Sequence, residues 1–264
     1  MIISLENFGL DRNEKIIKIA NLKPFFVYQE DKIKNVVDAI VSSGYRRIPI
    51  LDKKKNLVGI VTTMDILNAF LRRENFNQSI SSIMVKEVIF CFESESISDA
   101  LQKMKISRRG GLPILNKKKN LVGIVTERDF LKNFLNFKLD YPVSEFMTKK
   151  PLVISNKVSI YDCLKSIVNS RYRRLPVMDG SSLVGIVTSA DLLKYIHSHD
   201  FRFDDLNLPI DYVINKNPVS VQASETISEI IKKMVEKDVG GILVFEDKKL
   251  KGIITERDIL ERVV

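Results

Sequence analysis

The 264-residue chain is poor in cysteine and histidine, the residues that build most zinc and thiol redox centres. Cysteine occurs twice, at Cys91 and Cys163, each among apolar neighbours. That excludes a disulfide framework and a Cys-x-x-Cys centre. It predicts two buried free thiols in a reducing compartment. Histidine also occurs twice, at His197 and His199, in a stretch that reads as a linker. A metal site normally needs three or four ligands, so these two are expected to be exposed and no metal site is expected. No apolar run approaches the ~18 residues that span a bilayer. Met1 to Leu10 lacks a basic start followed by an apolar core, so no signal peptide is expected and the chain reads as cytoplasmic, away from membranes.

The sequence also lacks Gly-x-x-x-x-Gly-Lys-Ser/Thr, Gly-x-Gly-x-x-Gly after a strand, and His-Glu-x-x-His. No pair of residues stands out as general acid and base. An enzyme is not expected. What the chain has in plenty is apolar residues (45%) balanced by charged ones (28%), which marks a folded globular protein with enough length for two domains. The net charge of +9 attracts polyanions in general. The excess forms no single block or basic tail, which weakens a dedicated nucleic-acid reading and leaves a lysine-rich surface that serves solubility as the alternative.

Repetition dominates the sequence. Leu57-Val-Gly-Ile-Val-Thr-Thr-Met-Asp-Ile-Leu67 returns three more times, so Gly, Thr and Asp recur at Gly59, Thr62, Asp65; Gly123, Thr126, Asp129; Gly185, Thr188, Asp191; and Gly252, Thr255, Asp258. Lys53 to Thr62 is repeated without change at Lys117 to Thr126. Arg46-Arg47 returns as Arg173-Arg174, and Gly110-Gly111 as Gly240-Gly241. Odd units therefore match odd, and even match even, as in a duplicated two-unit module.

Apolar spacing gives each unit the order strand, helix, strand, strand, helix. In the first unit these are Pro24 to Val27, Lys34 to Ser43 ended by Gly44, Ile48 to Leu51, Leu57 to Val61, and Asp65 to Leu71. Segments with one helical turn and an apolar anchor separate the units, at residues 80–84, 143–147 and 210–214. The chain then divides into a leader (1–20, with a short helix from Glu14), a first module (21–137; units 21–74 and 80–137) and a second (138–264; units 143–200 and 209–264).

Two readings of the repeated Thr-x-x-Asp stand side by side. Thr at a helix N-cap with an acidic residue three positions on is a capping device. The same helix start suits phosphate, and an ionised Asp accepts two neighbouring ribose hydroxyls. A capping box prefers the longer Glu or Gln, yet Asp stands in all four copies, which tilts the reading toward a ligand.

At these residues the sequence resembles the cystathionine-β-synthase (CBS) domain family, in four tandem copies over nearly the whole chain. The resemblance implies a mixed α/β (α+β) fold of four β-α-β-β-α units paired into two pseudo-two-fold modules that form a disk, with adenosine compounds in clefts between paired units. Four units in one chain are similar to the γ subunit of the AMP-activated protein kinase. By this resemblance Asp65, Asp129, Asp191 and Asp258 are ribose ligands. Thr62, Thr126, Thr188 and Thr255 lie near ribose and phosphate. Arg46, Arg47, Arg173 and Arg174 meet phosphates or form salt bridges. Arg128 and Arg257, in the Thr-Glu-Arg-Asp of the even units, meet phosphate or form ion pairs between modules. Tyr45 and Tyr172 wall an adenine slot or pack in the core. Gly110-Gly111 and Gly240-Gly241 depart from the basic pattern, so the four sites are not expected to fill equally. The implied function is an energy sensor for AMP, ADP or ATP that signals to a regulated protein, alone or as a homodimer. S-adenosylmethionine and nucleic acid are the alternative ligands.

Overall fold

Residues 2–264 are described by a computed structural model. Repeat 1 comprises β1 (Val27–Tyr28), α1 (Ile33–Ser43), β2 (Arg47–Leu51), β3 (Leu57–Thr62) and α2 (Thr63–Leu71). Repeat 2 comprises β4 (Cys91–Phe92), α3 (Ile97–Ser107), β5 (Gly111–Leu115), β6 (Leu121–Thr126) and α4 (Glu127–Phe134). A lead-in strand, β7 (Thr148–Lys149), precedes repeat 3, which comprises β8 (Ile154–Ser155), α5 (Ile160–Ser170), β9 (Arg174–Asp179), β10 (Ser182–Thr188) and α6 (Ser189–Ser198). Repeat 4 comprises β11 (Ser220–Gln222), α7 (Ile227–Glu236), β12 (Gly241–Glu246), β13 (Lys249–Thr255) and α8 (Glu256–Leu260).

The local chemistry explains the elements. In α1 the residues Ile33, Val36, Val37 and Ile40 form one buried face, and Gly44 ends the helix at φ +74°, a conformation glycine adopts without a Cβ clash. In each repeat the first strand runs parallel to the second, which requires the helical crossover, and the last two strands form an antiparallel hairpin. The first strands are shorter than apolar content suggests. Only Val27 and Tyr28 pair with β2, so Phe25 and Phe26 lie outside the ladder and are exposed.

The segments between repeats are 3-10 turns, each anchored by a fully buried apolar residue: Ile80, Val143 and Ile210. The leader carries the same device at Ile16–Lys18, a short 3-10 helix two residues past Glu14, where a short helix is expected. These turns do not dock on the repeat they introduce. The leader docks on repeat 2, through Ile16 N–H to Glu95 O and Ile97 N–H to Glu14 O (2.9 and 2.7 Å). The turn before repeat 2 docks on repeat 1, through Ile80 N–H to Asp31 O and Ile33 N–H to Gln78 O. Repeats 3 and 4 exchange lead-ins in the same way, at Val143 with Glu225 and at Ile210 with Val158.

After its turn, each lead-in crosses the outer edge of the hairpin it has docked on. Asn21 bridges Ile124, Val85 bridges Ile60, Asn215 bridges Ile186, and β7 pairs with β13. That crossing accounts for the repeated glycines. A Cβ at Gly185 would stand 2.4 Å from Asn215 O, and one at Gly252 would stand 2.8 Å from Thr148 O. At Gly59 the obstacle is the Met84 side chain.

Packing gathers the chain into two compact units. One contains Phe25–Val88 and Leu152–Pro218, hence repeats 1 and 3. The other contains the segment up to Pro24, Ile89–Pro151 and Val219–Val264, hence the leader with repeats 2 and 4. Each has its own apolar core, because the buried helix faces of alternate repeats meet: α2 with α5 and α6 in the first, α4 with α7 and α8 in the second. Cys91 and Cys163 are buried free thiols, one in each core, and burial pushes both up to about 12.

Candidate functional site

Each β3-type strand runs straight into a helix, and Thr at the junction takes the extended conformation of an N-cap. The Asp three residues on folds back. Its Oδ2 accepts from the Thr backbone N–H and from the Thr hydroxyl in every copy: 2.8 and 2.7 Å at Asp65, 2.7 and 2.7 Å at Asp129, 2.9 and 2.7 Å at Asp191, 2.7 and 2.6 Å at Asp258. In copies 1, 3 and 4 the Asp N–H also donates to Thr Oγ1. The capping device is therefore formed at all four helices, and Asp, though shorter than the preferred Glu or Gln, closes it. The short side chain reaches because the Thr hydroxyl donates to the carboxylate and draws it in.

Only one carboxylate oxygen is used this way. Among the described residues, Oδ1 of Asp65, Asp129 and Asp191 accepts no hydrogen bond, while Oδ1 of Asp258 accepts one from Thr148 Oγ1 at 3.0 Å. All four Asp residues are half-buried. Burial raises Asp129 above the usual carboxylate range, against the opposing pull of its Thr126 hydrogen bonds.

The hairpin register decides what faces each cap. Arg47 stands opposite Thr62 and Arg174 opposite Thr188. Gly111 stands opposite Thr126 and Gly241 opposite Thr255. The odd repeats thus place an arginine across the ladder from the cap residue, and the even repeats place a glycine there. Arg46, Arg47, Arg173 and Arg174 each have an interaction within the protein. Tyr45 and Tyr172 lie outside the core, 43% and 57% exposed. Tyr45 stacks on Phe25 at 5.6 Å, and Leu152 and Val153 are exposed in repeat 3 as Phe25 and Phe26 are in repeat 1. The resemblance offers the apolar residues of each first strand, with the two tyrosines, as walls of an adenine slot, and here Phe25, Phe26, Leu152 and Val153 are exposed.

Of the two roles open for Arg128 and Arg257, the structure adopts ion pairing. Arg128 donates through Nε to Glu256 and through Nη1 to Asp238 Oδ1 (2.8 Å) and Met234 O (3.0 Å). Arg257 donates through Nε to Glu127 Oε1 at 3.1 Å and through Nη2 to Arg108 O at 3.0 Å. Repeat 2 and repeat 4 exchange the same pair in both directions. Glu127 and Glu256 escaped the sequence reading, although the signal was there: both even copies read Glu-Arg at that point, a self-complementary pair of charges.

The histidines depart from expectation. His197 lies inside α6 and bonds Asp38 Oδ1 at 2.7 Å; His199 caps α6 and stacks on Tyr195 at 4.0 Å. Both are half-buried, since α6 runs on to Ser198 and takes in the start of the stretch that reads as a linker. Among the described residues no group of His, Cys, Asp and Glu could hold a metal ion, and no helix is long and apolar enough to cross a membrane.

A repeated β-α-β-β-α unit with a Thr–Asp cap at its last helix defines a regulatory module of the CBS class. The CBS domain profile matches residues 16–72, 80–136, 143–198 and 210–264, and the chain belongs to the CBS domain family as a four-domain member. The first match takes in the leader turn at Ile16–Lys18. Uncharacterized protein MJ1225 from Methanocaldococcus jannaschii is 30% identical over 276 residues, covering 94% of this chain and 98% of its own. The crystal structure of MJ1225, described as a candidate archaeal homologue of γ-AMPK, superposes with a TM-score of 0.86 at 26% identity, over 94% of this chain and 99% of that one. An uncharacterized 33.4 kDa protein from Thermofilum pendens is 26% identical over 86% of this chain and 85% of its own. A Pyrococcus horikoshii protein shares the fold at a TM-score of 0.65 and 18% identity, over 94% of this chain and 98% of that one.

Proposed function

We propose that the protein is a non-catalytic sensor that binds adenine nucleotides, AMP, ADP or ATP, at the Thr–Asp helix starts of its repeats and passes the bound state to a regulated protein. The observation that carries this reading is the odd-repeat arrangement. A carboxylate with one oxygen committed to its cap and the other open, a helix N-terminus, and an arginine opposite the cap stand together at Asp65 and again at Asp191. The open oxygen suits a ribose hydroxyl, and the helix start with its arginine suits phosphate. The exposed Tyr45 beside Phe25, and Tyr172 with Leu152 and Val153 in repeat 3, offer apolar surface for a base.

In the even repeats a glycine opposite the cap supplies no charge, which favours an adenosine compound without phosphate, such as S-adenosylmethionine, at Asp129. Calorimetry on ligand-stripped protein tests both readings. Heat is expected with at least one of AMP, ADP and ATP, and silence with all of these and with S-adenosylmethionine removes the proposal. Signalling follows from a differential affinity for two states of the protein, whatever partner reads them. The identical Lys53-Lys54-Lys55 and Lys117-Lys118-Lys119 turns add surface charge, and weak, salt-sensitive nucleic-acid retention is their expected consequence.

A further inference from the structure

A recess of about 380 Å³ opens in the unit of repeats 1 and 3, away from the Thr–Asp caps. Its floor is four phenylalanines. Phe76 and Phe201 lie 4.8 Å apart, and Phe70 meets Phe76 edge-on at 5.9 Å and Phe203 at 5.7 Å. Its rim includes Lys34, Arg73 and Asp200, with the amides of Asn75 and Asn77. The volume falls in the range of small-molecule pockets.

Three features set this recess apart from a surface dent. First, Arg73 at φ +58°, Asp200 at φ +49° and Phe201 at φ +58° all hold the left-handed conformation that L side chains disfavour. Such conformations gather at ligand clamps, and here they hold Phe201 against Phe76 at the recess. Second, Lys34, Arg73 and Asp200 make no ion pair among the described residues, whereas Glu74 beside them is bonded by Gln78 and paired with Arg72. The two cations rest over ring faces, Arg73 at 4.1 Å from Phe203 and Lys34 at 5.9 Å from Phe201. Third, the other unit shows what such rings accept. Phe134, which follows Gly123 by as many residues as Phe70 follows Gly59, is covered face to face by Phe8 at 3.7 Å. No ring in the recess is stacked on Phe70 in that way.

We propose that this recess binds a zwitterionic amino acid with an aromatic or large aliphatic side chain. Its carboxylate meets Arg73 and Lys34, its ammonium meets Asp200, and its side chain lies on the phenylalanine floor. The mixed charges select this class. A nucleotide would set its phosphates against Asp200, a fatty acid would leave Asp200 without a cation, and a neutral sugar would bring no charge to Arg73, Lys34 or Asp200. The site is independent of the adenine-nucleotide reading.

Calorimetry on the full-length protein tests it, with L-phenylalanine and L-leucine as probes and with two one-charge analogues, 3-phenylpropionate and phenethylamine. The amino acids are expected to bind, and each analogue is expected to bind at least about tenfold more weakly. Arg73→Gln and Asp200→Asn change exposed side chains, and Asn tolerates the left-handed backbone. Each is expected to weaken L-phenylalanine by about tenfold or more with an unchanged unfolding midpoint. No heat from either amino acid at about 10 mM overturns the proposal, as do analogues that bind equally well or affinity unmoved in both variants.

Discussion

Arg257 donates to Glu127 at 3.1 Å, and Arg128 returns the same bond to Glu256. Each glutamate is the first residue of its helix and is nearly buried, while the odd repeats place Thr63 and Ser189 there and form no such exchange. A buried carboxylate without its partner is strongly unfavourable, so the exchange selects even repeats as partners for even repeats. Arg128→Met strands Glu256 and is expected to cost about 3–5 kcal/mol. Arg128→Met with Glu256→Met is expected to recover most of that, because the buried charge is gone. Urea unfolding midpoints check it, and a double variant no better than the single would refute the pairing.

The Thr–Asp caps have two uses that a single substitution can separate. The protein itself shows how: α7 is capped by Thr226 with Glu229, whose Oε2 accepts from Thr226 N and Oγ1 at 2.7 and 2.9 Å. Asp65→Glu is therefore expected to keep the cap, leaving the unfolding midpoint within ~0.5 kcal/mol of wild type. The same change moves the open oxygen, and nucleotide affinity is expected to fall by about tenfold. Asp65→Ala is expected to lose both, including about 1 kcal/mol of helix capping. Affinity that survives Asp65→Glu and Asp191→Glu together would leave the carboxylates with capping alone.

The repeated glycines predict a graded response. Gly185→Ala drives a Cβ into a backbone carbonyl that the crossing segment holds in place, and a loss of about 1–3 kcal/mol is expected. Gly59→Ala meets Met84 Sδ and Cγ at 2.5 and 2.9 Å, side-chain atoms that a rotamer change can move, so its cost is expected to be smaller. Thermal or urea unfolding of the two variants should rank them in that order, and the reverse order would count against the crossing geometry.

Acid should act on the caps in opposite directions. Hydrogen bonds from the Ser96 side chain and backbone hold Asp99 below the usual range, and those from Thr226 do so for Glu229. A lowered carboxylate contributes stability above its unfolded pKa and loses it as pH falls through the folded one. Asp99→Asn and Glu229→Gln are therefore expected to flatten the acid limb of the stability profile. Asp129 is raised by burial, so its contribution is full below the unfolded pKa and is lost as pH rises through the folded one. Asp129→Asn is expected to gain on wild type at neutral pH and to lose that gain in acid. Unfolding midpoints across pH 3–8 measure both slopes.

Much of this was legible in the residues. The repeats, the order of elements, the Gly44 helix stop and the Thr N-caps follow from local spacing and local hydrogen bonding, which the sequence records directly. The leader turn at Ile16–Lys18 was half-legible. Its apolar anchor shows, but its docking partner, Glu95, lies far along the chain.

The sequence alone determined that four like units exist and that each ends in a capped helix, because period and capping chemistry act within a few residues. Tertiary structure decided that one oxygen stays open at Asp65, Asp129 and Asp191 but not at Asp258, that Arg47 and Arg174 stand opposite the caps where the even repeats place Gly111 and Gly241, and that Arg128 and Arg257 bind glutamates. Those outcomes depend on register and on contacts more than a hundred residues apart, where a charge finds its partner only after burial makes the unpaired state costly.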